Sequence, residues 1–526
     1  MALEIGGTVR QRQTIGNYLG LVIGYVLVLV MVLASAPAHA KDGVSRLNDE
    51  AFLRVQSLGQ GLSQFNLDDQ GTLSDRDWWV DARFLAGFAY TLDNLAFELE
   101  VEGWTGQLTG ATTAVGTLRG EDTFQSPRDR GVAWHSILPQ RASMSLKTEV
   151  GVLRLGHQSY NWGLGLLVQD GRQARDFGIA MRNNLVERIA FGTKPFNAMT
   201  GAPQWLRNAT GFIAADVVFR DDNASLLAGD LAASGVVGLK IDEGTWSAGL
   251  IESYRYQKDR EDEDFPLSEA SSLQVLTSDI YAHVPLWMKN GRALLSAELE
   301  AAYILGQTNR PYLDETYTDG AAVQAFGAVA RLNYEPNEAL NLKLEGGYAS
   351  GDQDARDDVY RVFTFHSDYQ VGMVLFDQVM PMLTARSVDR IHDPELIKQA
   401  PASTRFLVNQ GAVRDARYIY PVVGYRPTDG LEFKLAYLMA FSAADAVDPF
   451  QSGINGGYNL GFDGEAVSSR SLGQELCLGV RYTIDSGASL KTTMIAEGAL
   501  FAPGKALSSV INDNVTLARA GFSLAW

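Results

Sequence analysis

Three glutamates at alternate positions, Glu98, Glu100 and Glu102, are the first candidates for chemistry in this chain of 526 residues. In an extended strand their carboxylates would follow one face at steps of about 7 Å. Such a row could attract cations, or it could pair with arginine and lysine side chains on neighbouring strands. Pairing is the favoured interpretation, because the spacing by itself implies no pocket around a glycosidic bond.

Other groups capable of catalysis or metal binding are dispersed along the chain. The one cysteine, Cys477, excludes a disulfide scaffold and a multi-cysteine metal site. The acidic run 258–264 lacks the glycine of a calcium loop, so a solvated charge run is favoured there. Neither G-x-S-x-G nor H-E-x-x-H occurs. Five histidines follow residue 40 at wide spacings: His135, His157, His283, His366 and His392. The sequence therefore predicts no enzyme, no cofactor and no metal site.

The first forty residues have the pattern of a secretory signal. Arg10 and Arg12 precede an apolar run from Tyr18 to Ala34, and an Ala-x-Ala motif ends at Ala40. Cleavage there would leave residues 41–526, and an uncleaved membrane anchor is the alternative. The expected mature chain has 42 basic and 61 acidic residues, a net charge of −19, after loss of two arginines and one glutamate. An acidic chain of this kind is repelled by phosphate backbones, so no nucleic-acid partner is expected.

Alternation of apolar and charged residues recurs along the rest of the chain. It is regular in Leu95–Glu102, Leu340–Glu345 and Leu431–Tyr437, and a helix would scatter these charges around its axis. The runs are long enough to cross a bilayer as tilted strands, and no further segment approaches the roughly 20 apolar residues of a membrane helix. The fold class is therefore predicted to be all-β.

Short polar turns alternate with long polar loops, which indicates a barrel. Asp93-Asn94 and Thr428–Gly430 are examples of the turns, while 162–184 and 351–410 are long connections. We expect a single antiparallel transmembrane β-barrel of about 18 strands, with 16 to 20 strands left open. Short turns and both termini would lie on the periplasmic side, and the long loops would be extracellular.

The chain ends with apolar residues on one strand face, Phe522, Leu524 and the terminal Trp526. This ending resembles the assembly signal of outer-membrane barrels of Gram-negative bacteria. The resemblance implies an outer-membrane location, contact with outer-membrane lipid and lipopolysaccharide, and recognition by the barrel-assembly machinery. Among such barrels the chain looks most like the alginate-export-like and substrate-specific porin families.

The faces opposite the apolar ones carry charges at a density that neither lipid nor a dry core tolerates, so they should line water. The predicted function is a porin-like channel for diffusion or export of small or oligomeric hydrophilic solutes. A closed surface barrel whose loops bind a partner is the alternative. The predicted pore-lining residues are Asp81, Arg83, Glu98, Glu100, Glu102, Arg141, Arg154, Glu298, Glu300, Arg331, Lys343, Glu345, Arg417, Glu432, Lys434, Arg481, Lys491, Glu497 and Arg519.

Two of the long connections are too apolar for ordinary surface loops. The glycine-rich stretch 161–171 either folds inward or continues the preceding strand. The connection 351–410 contains the apolar stretch Tyr369–Phe376, and a structureless loop of this length is improbable. We expect it either to constrict the lumen or to contain another hairpin.

Overall fold

A computed structural model describes residues 50–111, 137–180, 182–260, 271–310, 320–354, 357–393, 395, 407–485 and 490–526. The predicted signal segment, residues 1–40, lies outside these ranges, and so does most of the acidic run 258–264. Both therefore stay predictions.

Within the described ranges, eighteen long strands form one antiparallel sheet. They are β1 (Glu50–Leu62), β2 (Trp78–Leu92), β3 (Leu95–Gly110), β4 (Ile137–Lys147), β5 (Val152–Ser159), β6 (Leu185–Thr193), β7 (Thr210–Arg220), β8 (Leu231–Asp242), β9 (Ser247–Lys258), β10 (Ser272–Lys289), β11 (Arg292–Thr308), β12 (Ala321–Tyr334), β13 (Leu340–Ala349), β14 (Ala416–Thr428), β15 (Leu431–Ser442), β16 (Ser471–Asp485), β17 (Lys491–Pro503) and β18 (Val515–Ala525).

The sheet closes on itself through its first and last strands. β1 pairs with β2 along one side and with β18 along the other, from Arg54 opposite Ala525 to Leu62 opposite Leu517. Closure satisfies the backbone hydrogen bonds that an open edge would leave unpaired. The predicted all-β barrel of about 18 strands is confirmed.

Alternation along each strand separates an inner from an outer face. On β15, Ala436 and Leu438 point inward and are buried, whereas Phe433 and Leu435 are 42% and 44% exposed on the outside. An outer band of exposed apolar side chains suits contact with lipid. Trp287 and Tyr334 stack near one end of this band with ring centroids 6.3 Å apart, as expected of an aromatic girdle.

The connections at the two ends of the barrel differ in length. At the short-turn end, Asp93 and Asn290 have positive φ angles of 49° and 52°, as tight hairpins require. The longest connection at that end joins β6 to β7 and contains the short helix α1 (Gln204–Asn208). The opposite end, called here the long-loop end, is the one that the sequence assigns to the extracellular side.

Two connections from the long-loop end fold into the barrel. One is the inward loop, defined as residues 160–180 and 182–184, and the other is the plug segment, residues 357–393. The plug segment contains a π-helical turn (Leu375–Val379) that continues into helix α2 (Met380–His392). A shorter helix, α3 (Pro449–Ile454), lies in the β15–β16 connection and packs near α2. Among the described residues, no helix has the length and hydrophobicity that a bilayer span requires.

The plug segment supplies the centre of the main hydrophobic cluster. Phe363, Met373 and Leu383 are fully buried there, and they pack with inward wall residues that include Tyr418 and Tyr420. The only strand in the described part of 351–410 is the two-residue Val359–Tyr360, which pairs in parallel with β12. A second hairpin is therefore not formed within these described residues. In the described part of the segment, the constriction interpretation fits the fold and the hidden-hairpin alternative does not.

Candidate functional site in the barrel interior

The inward loop is held by carboxylates of the barrel wall. β5 ends at Ser159, and the backbone N–H groups of Leu164 and Leu166 donate to Glu300 of β11, at 3.1 Å for Leu166. Gly163 makes this approach possible, because a Cβ there would lie 2.6 Å from Oε2 of Glu300 and its φ is 54°. Farther along, the Gly178 N–H donates to Glu497 of β17 at 2.8 Å. Of the two interpretations of stretch 161–171, inward folding is therefore the one that the structure adopts.

The plug segment is anchored in the same way on other strands. The consecutive N–H groups of Met373, Val374 and Leu375 donate to the Glu475 carboxylate of β16 at 2.5, 3.0 and 3.0 Å. Nη2 of Arg519 on β18 donates to the Met373 carbonyl at 3.2 Å. A buried carboxylate that accepts several N–H groups fixes the backbone around it strongly, because these hydrogen bonds are charge-assisted.

A second wall carboxylate holds the start of the plug segment. Glu345 of β13 accepts hydrogen bonds from Nε of Arg331 at 2.6 Å, the Tyr418 hydroxyl at 2.7 Å and the Tyr369 hydroxyl at 3.1 Å. Tyr369 belongs to the plug segment, whereas the other two donors belong to the wall. The plug segment is therefore tied to β12, β13 and β14 as well as to β16 and β18.

The inward loop and the plug segment also bind each other. Arg175 forms an ion pair with Asp368, and the N–H of Arg182 donates to the same carboxylate at 3.0 Å. The His366 N–H donates to the Leu166 carbonyl at 2.7 Å. The two segments thus form one internal assembly inside the barrel.

The three alternating glutamates of β3 each have a basic partner. Glu98 lies 2.7 Å from both Arg141 and Arg154 on the next two strands. Glu102 pairs with Arg83 of β2 at 2.9 Å. Glu100 pairs with Arg172, which the inward loop supplies. The pairing interpretation of this row therefore agrees with the contacts, although the third partner comes from a loop rather than from a strand.

The structure places eighteen of the nineteen predicted pore-lining residues on the inner face. Many hold loops or each other instead of facing open water, and whether any of them meets a solute stays a prediction. Seven are buried: Arg83, Glu100, Glu102, Glu300, Glu345, Glu432 and Arg519. Eleven are partly or well exposed: Asp81, Glu98, Arg141, Arg154, Glu298, Arg331, Lys343, Lys434, Arg481, Lys491 and Glu497.

Arg417 is the exception, and its predicted position is corrected. It lies on the outer face of β14 with the exposed Ile419, while Tyr418 and Tyr420 point inward and are buried. Its guanidinium lies 5.7 Å from the centroid of the outer-face Phe441 ring. The sequence misled here because both faces of this strand carry large apolar or aromatic residues, so alternation does not identify the inner face.

A charged cluster between the wall and the inward loop stays partly exposed. Asp176 of the inward loop forms an ion pair with Lys343 of β13 and lies 3.8 Å from Nζ of Lys434 on β15. The side chains of these three residues are 26%, 14% and 15% exposed, so solvent reaches them inside the barrel. The sequence indicated both lysines but not Asp176, because the inward course of its loop was left open.

Two ion pairs at the long-loop end show how the connections are held there. Burial would raise the pKa of Asp221, but Arg255, at 2.5 Å, and backbone N–H groups lower it below its usual value. Burial likewise opposes ionisation of Asp259, whose pKa is nevertheless lowered by Arg310 at 2.6 Å. Within the described residues, no three His, Cys, Asp or Glu side chains are grouped as a metal site would require.

The comparisons with known proteins establish the fold. No family model and no curated protein matches the chain. The solved structure of OccAB1 from Acinetobacter baumannii is 10% identical, with a TM-score of 0.50, and the match covers 94% of this chain and 99% of that one. OpdK with vanillate and OccK2 (OpdF) in complex with glucuronate, both from Pseudomonas aeruginosa, are each 11% identical. Their TM-scores are 0.48 and 0.46, and each match covers 91% of this chain and 98% of the other.

The chain has the fold of an outer-membrane porin barrel. At 10% identity the likeness to OccAB1 supports the architecture and no finer property. Resemblance to substrate-specific porins is therefore shown at the level of the fold. The narrower resemblance to alginate-export-like porins stays a prediction.

Proposed function

We propose that the protein is an outer-membrane channel through which small or oligomeric hydrophilic solutes pass by diffusion or export. The observation that carries the proposal is the partly exposed cluster of Asp176, Lys343 and Lys434 inside a closed barrel. A dry interior would leave these groups desolvated at a cost of several kcal/mol per ion. Their exposure therefore supports a water-containing path beside the inward loop and the plug segment.

The outer surface supports a position in the outer membrane. Leu344 and Phe433 are 47% and 42% exposed on the outer face, which suits outer-membrane lipid. Arg417, on the same face near the long-loop end, suits a phosphate of lipopolysaccharide, because guanidinium binds phosphate well. Phe522 and Trp526 remain the proposed recognition residues for the barrel-assembly machinery. The proposal includes no catalysis, no cofactor and no nucleic acid.

A closed surface barrel is the second candidate, and one observation favours it. The plug segment is buried in the main hydrophobic cluster together with wall residues of several strands, so it could seal the lumen. In that case the barrel would serve as a support for loops that bind a partner. The two candidates differ in whether ions pass through the folded protein.

Single-channel recording in planar bilayers tests the proposal. The intact protein should give discrete, steady conductance steps. Replacing 360–400 by a short Gly-Ser linker should raise the step several-fold, because it removes the segment that narrows the lumen. The barrel should still assemble, because rejoining the flanking strands at the membrane surface has a small entropic cost. Heat-modifiable migration in gels would verify that the variant is a folded barrel. Steps in the shortened barrel but none in the intact protein would overturn the channel and favour the sealed barrel.

A further inference from the structure

A cavity of about 300 Å³ lies at the long-loop end, between the inner faces of β7–β12, the inward loop and the plug segment. This volume is at the lower end of the range for small-molecule sites. At about 30 Å³ for each water molecule, it has room for about ten waters or one ring-sized solute. The channel proposed above does not by itself require such a chamber.

His366 of the plug segment lines the cavity and presents an unsatisfied donor. The backbone N–H of Asp368 donates to Nδ1 of His366 at 3.0 Å, so Nδ1 is the acceptor and the proton of the neutral ring is on Nε2. The side chain is only 3% exposed, and Nε2 has no hydrogen-bond partner among the described residues. A buried donor without a partner is destabilising, so this N–H is available to a bound acceptor.

Two acids of the cavity lining are already paired with arginines. Asp216 is ion-paired with Arg188 at 2.6 Å, and Asp221 with Arg255 at 2.5 Å. A charged solute would have to compete with these contacts and would lose its own hydration. A neutral solute can enter without breaking either pair.

The remaining acids of the lining are engaged with neutral donors. Asp222 accepts the N–H and the hydroxyl of Ser367 at 2.7 and 2.6 Å. Asp279 accepts the indole N–H of Trp162 at 3.1 Å. These carboxylates can accept further hydrogen bonds from hydroxyl groups, since each oxygen has two lone pairs.

One side of the cavity is apolar. The Trp162 ring packs with Val236 and Ile251 in a small buried cluster, and Val275 lines the same side. Aromatic and aliphatic surface on one side, with polar groups on the other, fits a ring that has C–H faces and oxygen-bearing edges. The lining therefore has the amphipathic character of a binding site for a hydroxylated ring.

We infer that this cavity binds a neutral, hydroxylated ring compound of monosaccharide size, with a ligand oxygen accepting the Nε2–H of His366. The binding itself does not depend on the channel proposed above. That a permeating solute occupies this site on its way through the barrel does rest on that proposal. Its ring faces contact Trp162, and its hydroxyl groups donate to the carboxylates of Asp222 and Asp279.

Three probes of the same ring and different charge test the inference on the full-length, detergent-purified protein. Glucose, glucuronate and glucosamine are titrated separately by isothermal calorimetry. Glucose should bind, and the two charged sugars should bind at least about tenfold more weakly, because they disturb paired ions. His366→Phe keeps a planar ring but removes the donor, and it should weaken glucose binding about tenfold.

Two further variants keep the test decisive. His283→Phe is the matched control, since His283 lies on the inner face of β10 outside the cavity lining. It should leave glucose binding unchanged. Val275→Phe fills the cavity from the wall and should abolish binding even if His366→Phe fails to fold. The inference is overturned if glucose does not bind, if a charged sugar binds better, or if neither cavity variant changes the affinity.

Channel recordings on the same samples separate the two proposals. Conductance steps without glucose binding would overturn the binding site and leave the channel. Glucose binding without conductance steps would overturn the channel and leave the site. If the cavity holds water alone, glucose will not bind, which is the first of these outcomes.

Discussion

The carboxylate of Asp176, carried by the inward loop, is ion-paired with Lys343 of the barrel wall. Burial would raise the pKa of Asp176, but Lys343 and Lys434 lower it below its usual value, so the carboxylate is ionised near neutral pH. The loop thus supplies a counter-ion to two wall lysines within the lumen. Any anion that approaches these lysines competes with a group of the protein itself.

Asp176→Asn should increase the preference of the channel for anions. The substitution removes the counter-ion while both lysines remain, so the chloride-to-potassium permeability ratio should rise at least about twofold at 0.1 M salt. The reversal potential in a potassium chloride gradient measures this ratio. Asp170→Asn is the matched control, because it removes a charge from the same loop, where Asp170 accepts the N–H of Arg172 at 3.1 Å. Equal shifts in both variants would contradict a local effect of Asp176.

Glu475→Gln should loosen the plug segment. The glutamine side chain has only one oxygen to accept the three N–H groups of Met373, Val374 and Leu375. Its NH₂ group replaces the other oxygen and faces an N–H group that this oxygen accepted, so two donors meet. We expect a loss of about 2 kcal/mol in stability, together with noisier single-channel currents. Faster amide hydrogen exchange at the three donors would locate the effect.

Glu497→Gln serves as the comparison for the variant at Glu475. Glu497 accepts one N–H group, that of Gly178 in the inward loop. Exchange should therefore increase at Gly178 and not at Met373. Protection at Met373 that is unaffected by Glu475→Gln would mean that the carboxylate is not the anchor of the plug segment.

The strands could be predicted because their signal is local. Alternation in stretches such as Leu431–Tyr437 reflects one wet or packed face and one lipid face, and each strand carries this pattern without reference to its neighbours. Arg417 was misplaced where that local signal fails, since its strand is apolar on both faces. The inner wall could be predicted for the same reason, apart from that residue.

The internal assembly could not be predicted because its contacts are distant in sequence. Glu300 binds an N–H group 136 positions away, and Glu475 binds one 102 positions away. Alternation identified Glu300 as inward-facing but gave no indication of its partners. The apolar stretches 161–171 and Tyr369–Phe376 were the available signals that loops enter the barrel.

Substitution of Phe522 and Trp526 by Ser should prevent assembly in the membrane. Both side chains point outward from β18, with 42% and 56% exposure, and they form the proposed recognition face. Folded protein in outer-membrane fractions, detected by heat-modifiable migration, should fall to near background. Ser523→Ala changes the opposite face of the same strand and should assemble normally. Normal assembly of the double variant would contradict the terminal signal.

Stability should decrease as pH rises from about 4 to about 7, in part because of Asp415. Burial raises the pKa of Asp415, at the start of β14, to about 7, and Ala444 donates its N–H to this side chain at 2.7 Å. In this pH range the folded protein holds a proton that the unfolded chain has released, so raising the pH favours unfolding. The contribution is at most about 4 kcal/mol, at about 1.4 kcal/mol for each pKa unit.

Thermal melting of Asp415→Asn tests this pH dependence. The amide mimics the protonated acid and tolerates the positive φ of 45°, so the difference in melting temperature between pH 5 and pH 8 should shrink. Asp429→Asn, in an exposed turn at the opposite end of the barrel, should leave the difference unchanged. An unaltered pH profile in Asp415→Asn would refute the assignment.

The anchoring of the inward loop on the last strands also sets an order of events during biogenesis. Gly178 meets Glu497 across 319 positions of sequence, and the plug segment meets Arg519 only after β18 has joined the wall. Neither segment can complete its contacts before β17 and β18 have joined the wall. Loop docking is therefore a late step, and contacts of such long range form slowly. A chain that stalls before closure carries two loose apolar segments, which makes unfinished barrels prone to aggregation.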